Sequence, residues 1–423
     1  MKLKDIIIER APRFVKNLGV TFYNWRLYKA RHEGEYKKWQ KYHSAANNRS
    51  LGQIHAEAEL RLSQFLRDAT TKSVWYADKK SLKLQQFPVL EKTDLLRNLE
   101  KISTIDESDA IVSLTGGTTG ASMKVLYTHQ DMQERFAILD NFRAEYGYKL
   151  GKKTAWFSGK HLVGKADEHA KRFAFDDYLH GIRFFSTFHM ADKNFLSYWE
   201  SFVEFAPEFI VGFPSSVYDL CLMAERRNLN LHGIVKVFFP TAETVLASHR
   251  QVIGKVFGCR IVDQYASSEG APFITECAEG SLHINPLTGV FEVVDENLNP
   301  AIEGRVASNF VYHFWYTIDS IQNRDRVQSA PEDFRCACGS HFPVALKIDG
   351  RTSDFVFSKE NGKVNLGNLS NCTKDVQGIE AFQIIQDELS SITVKVVGTD
   401  DFDLDQEGYF LQPWFSEWVN PWK

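Results

Sequence analysis

The chain has 423 residues, 43% hydrophobic and 25% charged, a balance that excludes general disorder and provides enough core for one large domain and a small one. Its most apolar early run, Ile6, Ile7 and Ile8, is bounded by Asp5 and Glu9, too short for a signal-peptide core or a spanning helix, so the cytoplasm is the expected location. The formal net charge is -4, yet residues 1–50 hold twelve Lys and Arg against four Asp and Glu, which leaves the remainder with twelve net negative charges.

The first 107 residues read as helical. Phe22, Tyr23, Trp25 and Tyr28, interleaved with Arg26 and Lys29, fit a helix pair with an aromatic inner stripe and a solvated basic face, or a segment resting on an anionic membrane face or a partner. No nucleic-acid module accompanies these charges, so nucleic acid is not an expected partner. Leu60, Leu62, Phe65 and Leu66 mark the apolar side of a further helix, followed by a loop carrying Pro88 and another helix from Thr93. From residue 108 the texture changes to short β-branched runs at 110–114, 154–157, 209–211, 235–239 and 260–262, separated by helical stretches. That alternation predicts an α/β core with a parallel-rich sheet over 108–350. Runs at 289–294 and 304–311 read as antiparallel strands, and 351–423 as a small α+β domain hinged near Gly350 and Arg351.

Chemistry concentrates in Ser113-Leu114-Thr115-Gly116-Gly117-Thr118-Thr119-Gly120-Ala121-Ser122-Met123-Lys124, directly after a predicted strand. Glycines admit close backbone approach, hydroxyls donate hydrogen bonds and Lys124 adds a cation, so the loop suits a nucleotide triphosphate. Read alone it is equally a Gly/Thr turn, and it lacks the Gly-Lys-Ser/Thr ending of a Walker loop.

Company narrows the choice. The loop resembles the phosphate loop Thr-Ser-Gly-Thr-Thr-Gly of the adenylate-forming enzymes, with Gly116 in place of the usual serine. Asp263-Gln264-Tyr265-Ala266-Ser267-Ser268-Glu269-Gly270 is similar to that family's Tyr-Gly-x-Thr/Ser-Glu motif. By that resemblance Tyr265 lies on adenine, Ser268 belongs to the same loop and Glu269 holds Mg²⁺, with Glu269, Thr118 and Lys124 the catalytic set. Gly212-Phe213-Pro214-Ser215 and Thr241-Ala242-Glu243 resemble the segments that wall the acyl pocket (Phe213, Pro214, Ser215) and the adenine side (Ala242, Glu243) in the phenylacetate-CoA ligase branch. Phe87-Pro88-Val89-Leu90-Glu91-Lys92 resembles the Pro-x-x-x-Lys approach of that branch and of capsular-polysaccharide proteins. Asp325, with Asp319 as the alternative, stands where the family's ribose-binding aspartate is expected, without the usual Arg-Tyr. Ile348-Asp349-Gly350-Arg351-Thr352-Ser353-Asp354 resembles the hinge, with Ser353 replacing an aspartate.

The resemblance implies ATP, Mg²⁺, a small-molecule carboxylate, and CoA or another acceptor, in a reaction that forms acyl-AMP. It leaves monomer and homodimer both open. Cys277, His283, Cys336 and Cys338 offer three thiolates and an imidazole, either a tetrahedral Zn²⁺ set or four unrelated side chains; members of the branch with a structural zinc favour the first. Cys221 and Cys372 read as core residues. The resemblance fades after 392–397, and the tail 409–423 offers no match to the family's lysine-bearing turn. A shortened small domain is therefore expected, and with it a second reading in which the chain binds nucleotide or acyl group as a partner protein of low activity.

Overall fold

The computed structural model describes residues 11–79, 83–90, 92–114, 124–160, 162–266, 273–294, 306–307, 309–314, 320–323, 326–331, 333–350, 355–358, 362–365, 379–389 and 391–398. At its centre is a six-stranded sheet in the order Ala174–Asp177, Ile182–Ser186, Thr154–Ser158, Phe209–Gly212, Val237–Pro240 and Arg260–Ile261. The last five run parallel and Ala174–Asp177 is an antiparallel edge. These strands are apolar along their whole length because both faces are covered. Period-two alternation sends Ile210 and Phe238 to one face, beneath the helices Phe195–Phe205, Pro214–Glu225 and Ala247–Phe257. Phe209, Val211 and Phe239 go to the other face, with Phe142 of the helix His129–Glu145.

We label the amino-terminal helices α1 (Arg13–His32), α2 (Tyr36–Ser44), α3 (Leu51–Lys72) and α4 (Lys92–Ile102), and the helix His129–Glu145 α5. Four of the five runs expected in a parallel sheet are there. The first is not: Ile111–Leu114 pairs antiparallel with Lys124–Tyr127, as the two arms that bracket the glycine loop. A run of four residues followed by a glycine loop reads the same whether its partner is a neighbour in the chain or a distant parallel strand, so the pairing is a tertiary decision. Two strands of the central sheet, Ala174–Asp177 and Ile182–Ser186, were not anticipated; the acidic pair Asp176 and Asp177 masked the first.

A second six-stranded sheet, all antiparallel, runs Val306–Ala307, Arg326–Ser329, Val344–Gly350, Leu282–Ile284, Ile274–Glu276, Gln264–Tyr265. Gly289–Val294 is antiparallel as expected, paired with Asn309–Phe314, whereas the expected single strand 304–311 divides between this pair and the second sheet. The hinge position Gly350 ends the strand Val344–Gly350, and Arg351 lies outside the described residues. Beyond it, Phe355–Ser358 pairs with Gly362–Asn365 and Ile379–Glu388 with Ser391–Gly398, the two pairs joined by the Gln386 amide and the Phe357 backbone at 2.6 and 2.7 Å. Among the described residues no helix is long and apolar enough to cross a membrane.

The aromatic stripe of α1 is where sequence expectation and structure part. Its inner face is polar: Lys16, Asn17 and Asn24 are buried, while Phe14, Leu18, Phe22 and Trp25 face outward. The cause is the surface it covers. The strand Ala174–Asp177 is the open edge of the central sheet, and a sheet edge presents unpaired N–H groups that must be satisfied. Asn17 Oδ1 accepts from the Asp176 N–H at 3.2 Å and Thr21 Oγ1 from the Tyr178 N–H at 3.1 Å. Asn24 donates to Asp177 Oδ2 at 2.8 Å, and Lys16 pairs with the buried Asp167. On α3, Leu60 is half exposed, contrary to its expected inward position, whereas Phe65 and Leu66 are buried. A buried Glu134 on α5 ties three helices together, accepting from His43 of α2 at 2.7 Å and bidentately from Arg61 of α3 at 2.8 and 3.1 Å.

Asn17→Ala deprives the edge N–H of its acceptor and Tyr178 of its 2.7 Å partner while leaving the helix intact. We expect a loss of about 1–3 kcal/mol in urea unfolding with an unchanged slope.

Candidate functional site

The parallel strands end together, and in open α/β sheets the carboxyl edge is where ligands bind. Four chain segments emerge there: Ser158, then Gly212 to Ser215, then Pro240 to Glu243, then Asp263 to Tyr265. Close packing is needed to hold them level. Gly212 lies opposite Phe157 with φ +143°, and a Cβ placed there would sit 2.0 Å from the Phe157 carbonyl oxygen. Only glycine admits that approach. Pro214 follows as the first residue of the helix Pro214–Glu225, where its missing N–H costs nothing.

Glu243 reaches across to this helix start. It accepts from the Ser215 N–H and from Ser215 Oγ, both at 3.0 Å, placing a carboxylate on the positive end of the helix. Its neighbour Ala242 has φ +66°, a left-handed conformation rare for a residue with a side chain. Phe213 and Pro214 are buried beside it. Gln264 donates to the Pro240 carbonyl at 3.1 Å, tying the third and fourth segments. At this same edge Ser158 Oγ and Gln264 Oε1 are buried without a partner among the described residues. Buried polar atoms are ordinarily paired, so both atoms mark this edge as a candidate site.

Tyr265 is half buried on the Gln264–Tyr265 strand and shares one apolar cluster with Ile111, Val125 and Tyr127 of the hairpin that brackets the glycine loop. Two sequence motifs 150 residues apart are thus anchored on one core. Lys124 opens the second arm of the hairpin and pairs with Glu107 at 2.8 Å, an exposed pair that a stronger anion can displace at little cost. Thr115, Gly116, Gly117, Thr118, Thr119, Gly120, Ser268, Glu269, Asp325 and the alternative Asp319 lie outside the described residues, as does Cys372.

Sequence reasoning missed the acidic support of this edge. Glu276 holds the base of the Tyr265 segment, accepting from the Asp263 N–H and from Arg250, each at 2.8 Å. Burial first, then the neighbouring Glu276 charge, pushes the Asp263 carboxyl up to about 6, against the Gln264 N–H that lowers it. Asp219, half buried on the helix Pro214–Glu225, is pushed up to about 7 by burial and then by Glu243, with Arg226 opposing. Neither Glu276 nor Asp219 belongs to any of the motifs, and only the fold brings them to this edge.

The four metal-ligating candidates converge. Cys277 follows the strand Ile274–Glu276, His283 lies on Leu282–Ile284, and Cys336 and Cys338 occupy the turn before Val344–Gly350, all on one sheet. Their ligand atoms lie within 4.8 Å of one another. Cys277 Sγ and Cys336 Sγ are 3.7 Å apart, and Cys338 Sγ is 3.3 Å from His283 Nε2. The first distance is too long for a disulfide, and a tetrahedral ion with metal–sulfur bonds of about 2.3 Å separates its sulfurs by roughly 3.8 Å. His283 Nδ1 lies 3.1 Å from the Phe342 carbonyl, a bond that turns Nε2 toward Cys338 Sγ. Cys221 is a core residue as expected, fully buried with its thiol pushed up by burial.

Asp219 yields a pH prediction. Its folded value lies above the ordinary 3.8, so its contribution to stability is complete below about pH 4 and is lost as pH rises through about 7. The melting temperature should fall between about pH 4 and 7, and Asp219→Asn should flatten that slope, leaving the part due to Asp263 below about pH 6. A parallel pH profile in the variant would contradict the assignment.

Residues 356–414 match the family model described as the CapK C-terminal domain. Protein CapK of Staphylococcus aureus is 32% identical over 334 residues, 76% of this chain and 70% of that protein. Among solved structures, 2-hydroxyisobutyryl-CoA ligase in complex with 2-HIB-AMP and CoA in the thioesterification state gives a TM-score of 0.60 at 16% identity, covering 89% of this chain and 84% of that one. The same ligase in the postadenylation state with R3-HIB-AMP gives 0.58, also at 16% identity and the same coverage. The structural likeness is one of fold, and the sequence identity over most of both chains is one of descent: the protein belongs to the CapK family and has the fold of the adenylate-forming enzymes.

Proposed function

We propose that the protein uses ATP and Mg²⁺ to activate a carboxylic acid as acyl-AMP, and transfers the acyl group to CoA or another acceptor during assembly of a surface polysaccharide. The observation that carries this reading is the carboxyl edge of the parallel sheet, where Gly212 to Ser215, Ala242, Glu243 and Tyr265 leave the strands together with Ser158 Oγ and Gln264 Oε1, which have no partner among the described residues. In this reading the loop Thr115 to Gly120 with Lys124 cradles the phosphates, and Glu269 holds Mg²⁺ so that a carboxylate oxygen can attack the α-phosphorus and release pyrophosphate. Tyr265, Ser268, Ala242 and Glu243 border adenine, Asp325 takes the ribose, Arg351 sits at the hinge, and Phe213, Pro214 and Ser215 wall the acyl group. The division into 1–107, 108–350 and 351–423 belongs to the same reading, with rotation about Gly350.

Cys277, His283, Cys336 and Cys338 are proposed to hold one structural Zn²⁺. With all four positions supplied by protein, no open site is left for chemistry, and the ion would staple the strands next to Tyr265 to the strand that ends at Gly350.

ATP–pyrophosphate exchange with a panel of aryl, fatty and hydroxy acids tests the reaction. We expect exchange with at least one acid, a loss of about a hundredfold in Glu269→Gln, and about tenfold weaker ATP binding in Lys124→Ala with Thr118→Ala. Nucleotide binding without exchange for any acid would support the partner-protein reading instead. Elemental analysis tests the metal separately: about one zinc per chain is expected, and Cys336→Ser with Cys338→Ser should release it and lower the melting temperature by several degrees. Protein purified without zinc, or the double variant retaining it, would exclude the site.

A further inference from the structure

The amphipathicity of α1 is reversed. Phe14, Leu18, Phe22 and Trp25, spaced by four, four and three residues, form one continuous stripe, and they are 62%, 56%, 58% and 43% exposed. The polar residues of the same helix are spent on the sheet edge beneath it, so the stripe cannot turn inward without orphaning the Asp176 and Tyr178 N–H groups. Exposed Arg26 and Lys29 border the stripe, with Lys29 Nζ 5.8 Å from the centre of the Trp25 ring. The helix contains no Asp or Glu.

A second copy of the chain is a poor occupant. The stripe runs about 17 Å along one helix about 10 Å wide, roughly 170 Å², far below the roughly 800 Å² per partner of a stable interface. A lipid surface needs no such area. An apolar face with aromatic side chains inserts among acyl chains while flanking cations meet anionic headgroups. The charge distribution orients the molecule as well: residues 1–50 are strongly positive and the remainder negative, so an anionic surface attracts this end and repels the rest. We propose that the outward face of α1 seats the protein on an anionic lipid surface. The inference is independent of the proposed reaction.

Co-sedimentation of the full chain with vesicles at low salt tests it. Binding to vesicles of phosphatidylcholine containing about one part in three phosphatidylglycerol should be at least about tenfold tighter than to phosphatidylcholine alone, and should weaken as salt is raised. Arg26→Glu with Lys29→Glu, and separately Phe22→Ser with Trp25→Ser, should each lose about tenfold, with melting temperatures unchanged because the replaced side chains are exposed. Phe334→Ser, at another exposed aromatic, should bind like the parent. No binding, equal binding to both vesicles, or variants that bind like the parent would overturn the proposal. So would a dimer in light scattering that Phe22→Ser with Trp25→Ser dissolves, since the stripe would then be a contact between copies.

Discussion

The close approach of Gly212 to the Phe157 carbonyl is the contact on which the candidate site depends. It lets two parallel strands end level, and from that level edge Phe213 leaves into Pro214 and the helix start that Glu243 engages. Any side chain at 212 would force the strands apart by more than the sheet can absorb, since the obstructing atoms are backbone. The strained Ala242 and the carboxylates of Asp219 and Asp263, raised by burial, stand along the same edge. Strain and perturbed carboxylates gather where a fold is shaped for a ligand rather than for its own stability.

Around this edge the molecule is held by polar interactions as much as by its aromatic core. Glu134 joins α2, α3 and α5 from a fully buried position, where burial opposes its charge and His43 and Arg61 outweigh that opposition. Removing Arg61 would leave the Glu134 charge without its opposite charge, a more serious loss than that of one hydrogen bond. Glu276 does for the Tyr265 segment what Glu134 does for the helices, gathering Arg250 and the Asp263 N–H on one carboxylate. The reversed polarity of α1 follows the same logic, because an open strand edge is a polar surface and recruits a polar helix face.

The cysteine and histidine cluster gathers around the inner strands Ile274–Glu276, Leu282–Ile284 and Val344–Gly350 of the second sheet, and it spans strands that neighbour one another only after folding. Its ligands come from two segments nearly sixty residues apart. Ligand spacing alone left two readings open. The tertiary structure brings four donor atoms within 4.8 Å, because the strands Leu282–Ile284 and Val344–Gly350 pair directly.

Much of the fold was written locally. The runs at 154–157, 209–211 and 260–262 are short, apolar and β-branched or aromatic, flanked by turn residues, and such segments are strands wherever both faces are buried. Gly212-Phe213-Pro214-Ser215 and Thr241-Ala242-Glu243 were singled out by their resemblance to segments of the phenylacetate-CoA ligase branch, and both leave the sheet at its carboxyl edge. What pairs with what was not readable. The arm Ile111–Leu114 joined a hairpin with a close neighbour in the chain instead of the parallel sheet, a choice that an apolar run does not record, and the aromatic face of α1 turned outward because the burial of a helix face depends on a strand edge more than a hundred residues away. The amino-acid sequence by itself determined most of the strands of the parallel sheet and the residue types of the candidate site. Only the tertiary structure decided which carboxylates stand beside it and which side of α1 meets the outside, since electrostatic environment and open sheet edges do not exist until the chain has folded.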